Sequence, residues 1–405
     1  MAPAEQPPSK PLRAAPCEAL GDEVELQRTA DGKVRYFRAG DPDREEYTYE
    51  KPFILELEIS RRCNLRCIHC YAWAEDRDFD DELTFPEIET VLTDAWELGI
   101  RELSLTGGEV MLRSDFLAII DAGLERGFGV RFVTNGTLLD EGLLAELCKR
   151  PITLITVSLD GISAAFHERI RGPGNHEPCL RAIDRLLAAG FAISVITAFS
   201  KLNIDEFDAL LEFCVARGID WQVQMTSAKG RCPEPITLSP DEYYALGEKV
   251  AAALTAELPI HITPMDDLAT YSHFSPLNLL SATWKQACAG GKLNLFVRAN
   301  GDVTPCSALA FDQCVVGNVR REPLSVICRE RRCEANLAWL SADQLTGQCA
   351  RCAFKQECQG GCPEILLCMC RSRTENEYCY HRIEQHRILA AALDGGHNPS
   401  GQSRD

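Results

Sequence analysis

Six apolar runs of strand length recur after Pro52, separated by amphipathic segments of helical period. The runs are Phe53–Ile59, Glu102–Leu105, Val130–Thr134, Leu154–Leu159, Ala192–Phe199 and Trp221–Met225. The segments between them carry their own end signals. Thr84 is a good N-cap, Pro86 suits the first turn, Glu87 closes a capping box and Gly99 ends the run. Ser114 opens a second helix that stops near Gly127, and Gly190 and Gly218 punctuate two more. Consecutive strand–helix units require parallel strands joined by right-handed crossovers. The expected fold class is therefore α/β, a partial (β/α)6 TIM-like barrel over residues 51–262. In such a sheet, chemistry collects on loops after the C-terminal ends of strands.

The flanks read differently. Residues 1–21 are rich in Ala and Pro and predict a disordered tail. Residues 22–50 alternate weakly around Asp31-Gly32 and predict a small hairpin. A helix from about Pro240 to Leu258 leads into an irregular connection at 263–287. More than half of the 20 cysteines then fall between Cys288 and Cys379. Such a region, 288–385, is better held by metal clusters than by a conventional core. A short helix and a polar tail, 386–405, end the chain.

Composition narrows the function classes. Lys plus Arg number 42 against 60 Asp plus Glu, a net charge of −18, which argues against a nucleic-acid partner. No stretch has the length of a membrane span or the core of a signal peptide, so the cytoplasm is the expected setting. Cysteines at this density in a reducing compartment point to zinc or iron–sulfur ligation rather than to disulfides.

The loop after the first strand reads Arg62-Cys63-Asn64-Leu65-Arg66-Cys67-Ile68-His69-Cys70-Tyr71. Three thiolates on one tight loop leave one iron of a four-iron cubane without a protein ligand, an open position for chemistry. A zinc knuckle with His69 as fourth ligand is the alternative from spacing alone. Cys63-x-x-x-Cys67-x-x-Cys70 on the first loop of a βα barrel resembles the radical S-adenosylmethionine (radical SAM) superfamily. That resemblance implies a [4Fe-4S] cluster whose open iron chelates the methionine end of S-adenosylmethionine. One electron then cleaves the cofactor to a 5′-deoxyadenosyl radical, which abstracts hydrogen from substrate.

Further segments carry the same resemblance. Thr106-Gly107-Gly108-Glu109, after the second strand, is similar to the family's glycine-rich motif, in which backbone and Glu meet the methionine ammonium. Val110 stands where Pro is usual, and a tight strand-to-helix turn is the plainer reading of the tripeptide alone. Asn135, Ser158 and Arg171 stand after the third and fourth strands. The resemblance implies Ser158 at the ribose, Arg171 at the cofactor carboxylate and His69 near the adenine. From local chemistry alone, Asn135-Gly136 reads equally as a turn, and Asp160 as an N-cap or turn former.

The C-terminal cysteines resemble the SPASM extension, a domain with two auxiliary clusters. Cys288, Gly301 and Cys306 come first, then Cys349-x-x-Cys352-x(5)-Cys358-x(3)-Cys362, and Cys379 last. The resemblance implies one auxiliary cluster on Cys349, Cys352, Cys358 and Cys379 and another on Cys288, Cys306 and Cys362. The latter lacks a fourth ligand, because Ala282 stands where some relatives carry cysteine; Cys314, Cys368 or Cys370 could substitute, or the site is open. Cys328 and Cys333 sit in apolar context and read as packing thiols. Ser307 stands where sulfatase-maturating relatives carry an Asp base, which speaks against formylglycine formation.

The implied function is hydrogen abstraction from a ribosomally made precursor peptide, followed by crosslinking, oxidation or epimerisation. A radical dehydrogenase of a small molecule is the alternative, and a non-catalytic electron carrier a more distant one. Implied partners are the peptide and an electron donor such as flavodoxin or ferredoxin. Because the segment before the barrel is too short to bury a recognition domain of its own, leader recognition, if needed, is expected from a separate partner protein or from the barrel surface itself.

Overall fold

The computed structural model describes residues 24–28, 34–38, 52–264, 288 and 290–394, with positions 268, 271, 272 and 277. The expected tail at 1–21, most of the connection at 263–287 with Ala282, and residues 395–405 lie outside the described residues. Ahead of the barrel, β1 (Val24–Arg28) pairs antiparallel with β2 (Val34–Arg38), Val24 opposite Arg38.

Strands β3 (Ile54–Ser60), β4 (Glu102–Gly107), β5 (Gly129–Thr134), β6 (Leu154–Ser158), β7 (Ile193–Phe199) and β8 (Asp220–Met225) each pair parallel with the next. Between them run α1 (Phe85–Glu97), α2 (Phe116–Arg126), α3 (Glu141–Leu147), α4 (Ala164–Arg171), α5 (His176–Ala188) and α6 (Phe207–Arg217). Thr84 and Glu87 form the capping box of α1. The N-cap of α2 is Asp115 rather than Ser114, because these two residues form a turn first, and left-handed Gly127 closes that helix at φ +95°.

The sheet is wider than six strands. After α7 (Pro240–Thr255), β9 (Ile262–Pro264) pairs parallel with β8. On the opposite edge β10 (Asn294–Val297) pairs parallel with β3 and turns back through antiparallel β11 (Asp302–Thr304) and β12 (Gly317–Asn318). The partial barrel and the cysteine-rich region therefore share one ten-stranded sheet.

Alternation along the strands separates two environments. Leu55, Leu57, Ile59, Leu103 and Leu105 are fully buried under the helices. Burying each such side chain contributes roughly 1.5–3 kcal/mol. Trp221, Phe199 and Phe207 form an aromatic cluster there, with ring centroids 5.0–6.0 Å apart. The opposite face carries polar side chains beside apolar ones: Glu56 is in register with Ser104 and Ser104 with Arg131, while Thr156 pairs with Ser194 and with Val133. Gln222 Nε2 donates to Thr156 Oγ1 and Ser194 Oγ at 3.4 and 3.2 Å, so these side chains share the barrel lumen.

Beyond β12 the chain folds into short helices, a π-helical turn at Ile365–Met369 and a final helix, Tyr380–Asp394. No helix among the described residues is long and apolar enough to cross a membrane. Tyr378 and Tyr380 dock this region on α7, their rings 5.7 and 4.8 Å from that of Tyr243. Arg320 fastens the opposite side. Its guanidinium grips Glu87 at 2.6 and 3.1 Å and donates to the Asp81 and Glu82 carbonyls.

The hydrogen bond from Arg320 holds the Glu87 carboxyl down at about 2. A depressed carboxylate stabilises the fold above its unfolded pKa of about 4.3, and that contribution is lost as pH falls through the folded value. Both side chains are about one-third exposed, so solvent screening reduces the pair to about 1 kcal/mol. Arg320→Ala should lower the free energy from denaturant unfolding by that amount at pH 7. The share of the gap due to the ion pair should vanish between about pH 4.5 and 2, leaving the share due to the carbonyl hydrogen bonds.

Candidate active site

The loop after β3 has no regular structure, yet Cys63 and Cys67 are buried and Cys70 half-buried. Cys63 N–H donates to the Glu75 carbonyl at 3.0 Å and Ile68 N–H to the Ile170 carbonyl at 2.8 Å. Burial pushes the Cys63 thiol up to about 12, with a hydrogen bond from Leu65 N–H opposing it. A thiolate at this depth needs a positive charge beside it, as a metal would supply. No three His, Cys, Asp or Glu side chains among the described residues converge on a single-ion site. His69 is engaged elsewhere, its Nε2 2.8 Å from Asp160 Oδ2. Three spaced thiols on one loop suit a cubane with one open iron.

The glycine motif is a backbone contact before it is anything else. Gly108 N–H donates to Ser60 O at 2.8 Å and Glu109 N–H to Arg62 O at 2.9 Å. A Cβ at Gly107 or Gly108 would stand 2.3 Å from the Ser60 or Arg62 carbonyl oxygen. Glu109 is fully buried and accepts from Thr134 Oγ1 and Asn135 N–H, both at 2.7 Å, and from Met111 N–H at 3.2 Å. Burial raises its pKa against those three donors. Asn135 reaches the cysteine loop, donating to Asn64 Oδ1 at 3.0 Å with its Nδ2 4.0 Å from Cys63 Sγ.

Asp160, read from sequence as a cap or turn residue, is the electrostatic centre of the mouth. Fully buried, it accepts from Arg171 Nε at 2.6 Å and from Ala198 N–H at 3.0 Å, beside His69. Burial alone would raise its pKa. Arg171 and His69 outweigh burial and hold the carboxyl well below the usual range. Among the described residues, the Arg171 Nη groups have no partner, and His69 Nδ1 is buried without one. The Arg171 guanidinium beside the cysteine loop suits the carboxylate of a ligand, and His69 Nδ1 offers a further hydrogen-bonding position. Ser158 ends β6 on the face of Thr156, towards the lumen.

Sequence reasoning also missed the loop after β8. Gly230, at φ +59°, packs so closely on Cys70 that a Cβ would stand 2.3 Å from its carbonyl oxygen. Arg231 donates to the Cys67 and Ala74 carbonyls at 3.3 and 2.6 Å. Its Gly-Arg pair was the available signal, being on the sixth strand's C-terminal loop. An open cavity of about 540 Å³ lies outside this contact, lined by Arg66, Ile68, Trp73 and Pro233 among others.

The C-terminal thiols fall into groups. Cys379 is raised by burial and then by Cys358, Cys349 and Cys352, which stand close enough for their charges to interact. Cys288 stands similarly near Cys306. Backbone N–H groups donate to sulfur at Cys63 from Leu65, Cys288 from Gly290, Cys349 from Asn376 and Cys352 from Phe354, each at 3.4 Å. Cys306, Cys358 and Cys379 receive backbone donors from Leu309, Gly360 and Arg382. Cys314, Cys328, Cys333 and Cys368 have no such donor among the described residues. Cys370 has backbone donors from Glu377 and Tyr378 and lies beside Asn376, while Cys362 is half-buried against the main core.

Residues 57–214 match the Radical SAM superfamily, and residues 288–353 match the SPASM iron–sulfur cluster-binding domain. The chain is 27% identical over 352 residues to the AdoMet-dependent heme synthase of Methanosarcina barkeri, covering 82% of this chain and 97% of that one. It is 27% identical over 343 residues to the mycofactocin maturase MftC of Mycobacterium ulcerans, covering 78% and 84%. Streptococcus suis SuiB bound to the precursor peptide SuiA shares the fold at a TM-score of 0.64 and 19% identity, over 81% of this chain and 75% of that one. These domains imply [4Fe-4S] clusters and S-adenosylmethionine. Residues 57–214 thus form a radical SAM domain on the partial barrel, and a SPASM domain follows it at residues 288–353.

Proposed function

We propose that this enzyme abstracts hydrogen from a ribosomally synthesised peptide, leading to crosslinking, oxidation or epimerisation. A cubane on Cys63, Cys67 and Cys70 would supply the electron that cleaves S-adenosylmethionine to the 5′-deoxyadenosyl radical. Glu109 would meet the cofactor ammonium, with Gly107, Gly108 and Asn135 shaping its approach. Arg171, oriented by Asp160, would pair with the cofactor carboxylate; Ser158 and His69 would flank ribose and adenine. Cys349, Cys352, Cys358 and Cys379 would hold one auxiliary cluster, and Cys288, Cys306 and Cys362 the other. The grouping of Cys379 with Cys349 supports an auxiliary domain over 288–385. Flavodoxin or ferredoxin would donate the electron, with a separate leader-recognition protein as a further partner. All described cysteines are free thiols, which suits the reducing cytoplasm.

The observation favouring a peptide is the set of polar side chains in the lumen. Glu56, Ser104, Arg131, Thr156, Ser194 and Gln222 offer hydrogen-bonding groups where a substrate would lie. Backbone amides match such a wall. A second reading, a porphyrin substrate, draws on the resemblance to the heme synthase. The lumen face also carries Val133, Ile196 and Phe296, in register with Thr156, Ser158 and Glu56, against which a porphyrin's apolar faces could lie. Formation of 5′-deoxyadenosine, with a mass change in a precursor peptide encoded nearby, decides between them. Turnover with a heme precursor and none with the peptide would establish the second reading.

Two further outcomes test the site. Reconstituted protein should hold about twelve irons, four in each of three cubanes. Replacing Cys63, Cys67 and Cys70 by Ala should remove about a third of them and all cofactor cleavage.

Arg171→Ala should weaken S-adenosylmethionine binding by several kcal/mol while the visible spectrum persists. Asp160→Asn should weaken it nearly as much. The double variant should be little worse than Arg171→Ala, since both act through one guanidinium.

A further inference from the structure

The loop after β8 touches the cysteine loop on one side and the cysteine-rich region on the other. Gly230 and Arg231 make the first contact, as described above. On the other side Lys229 Nζ lies 2.6 Å from Glu364 Oε1 and donates to the Ala308 carbonyl at 3.0 Å. Ser227 Oγ donates to the same carboxylate oxygen at 2.7 Å, and Ala228 N–H to Met369 Sδ at 3.4 Å. Both charged side chains are nearly sealed from solvent, each 11% exposed. The ammonium also lies 4.9 Å from the ring centroid of Tyr71, the residue following Cys70.

The anchor points are informative. Ala308 is two residues after Cys306, and Glu364 two residues after Cys362. Cys306 and Cys368 stand near enough for their charges to act on Lys229. Glu364 begins the π-helical turn Ile365–Met369, an irregularity often found at functional sites. A buried ion pair is a poor device for stability alone, because desolvation cancels most of its attraction. Its value lies in fixing geometry and local field. With its charge already matched by Glu364, Lys229 is not a free anion site.

We propose that Lys229 and Glu364 are positioning residues that lock the first auxiliary site, on Cys306 and Cys362, against the catalytic loop and set the electrostatic field at that site. The proposal rests on the ligand assignment given under Proposed function. A cation beside a cluster favours its reduced, more negative state, and an anion disfavours it.

The test is a redox titration followed by electron paramagnetic resonance on the reconstituted full chain. The auxiliary signal is identified as the one lost in Cys306→Ala. Lys229→Met should shift its midpoint potential downward and Glu364→Gln should shift it upward. The double variant should return close to wild type. Opposite signs are something a purely structural role would not produce. Lys229→Met strands a buried carboxylate; if it fails to fold, Glu364→Gln and the double variant carry the same test of sign. Shifts in one direction for both, or none in either, would overturn the proposal. Wild-type protein with no Cys306-dependent signal would overturn the ligand assignment, and this inference with it.

Discussion

The cysteine loop has neither helix nor strand to hold it, so its shape depends on backbone pressed directly against backbone. Gly107 and Gly108 supply one wall, where a Cβ would collide with the Ser60 or Arg62 carbonyl. Gly230 supplies another, against Cys70 and Tyr71. Glycine is required because no other residue allows main chains to approach so closely. The same contacts consume the N–H groups of Gly108 and Glu109. What the motif can offer an ammonium is therefore acceptors, among them the Glu109 side chain, itself clamped by three donors.

Asp160 does for charge what the glycines do for shape. An isolated carboxylate buried at this depth would take up a proton. Here Arg171, His69 and the Ala198 N–H keep it ionised, and in return it fixes the orientation of all three. Arg171 sits in the last turn of α4, where the helix dipole also favours a cation. One carboxylate thus joins the fourth strand, its following helix, the next strand and the cysteine loop.

The parts of this architecture that were legible in the sequence are those whose signal is local. The six long strands announce themselves by apolar runs, and the cysteine sets by spacing. β9 and β10 do not, being three and four residues long and too short for a period to register. Asp160 looked like a turn residue because Ser-Leu-Asp-Gly is locally a turn sequence; its burial depends on Arg171, a helix away. Arg231 bonds the carbonyl of Ala74, 157 residues earlier, and no window on the sequence contains both. Lys229 is silent for the same reason, since its partner lies in the other domain.

Spacing groups cysteines but does not distinguish a ligand from a packing thiol, and local backbone geometry adds that distinction. Cys63, Cys288 and Cys352 each accept the N–H of the residue two further on, a turn that points an amide dipole at sulfur. Cys314, Cys328, Cys333 and Cys368 are raised by burial without such an offset. A donor at sulfur costs nothing to a neutral thiol and favours the thiolate, so it prepares a residue for metal. Cys370 is the exception: it has backbone donors from Glu377 and Tyr378 yet lies outside both spaced sets. Its donors come from the segment leading into Cys379, which makes it a brace for that segment's turn. The amide pattern thus marks seven of the ten spaced thiols, Cys63, Cys288, Cys306, Cys349, Cys352, Cys358 and Cys379, and does not single out Cys67, Cys70 or Cys362.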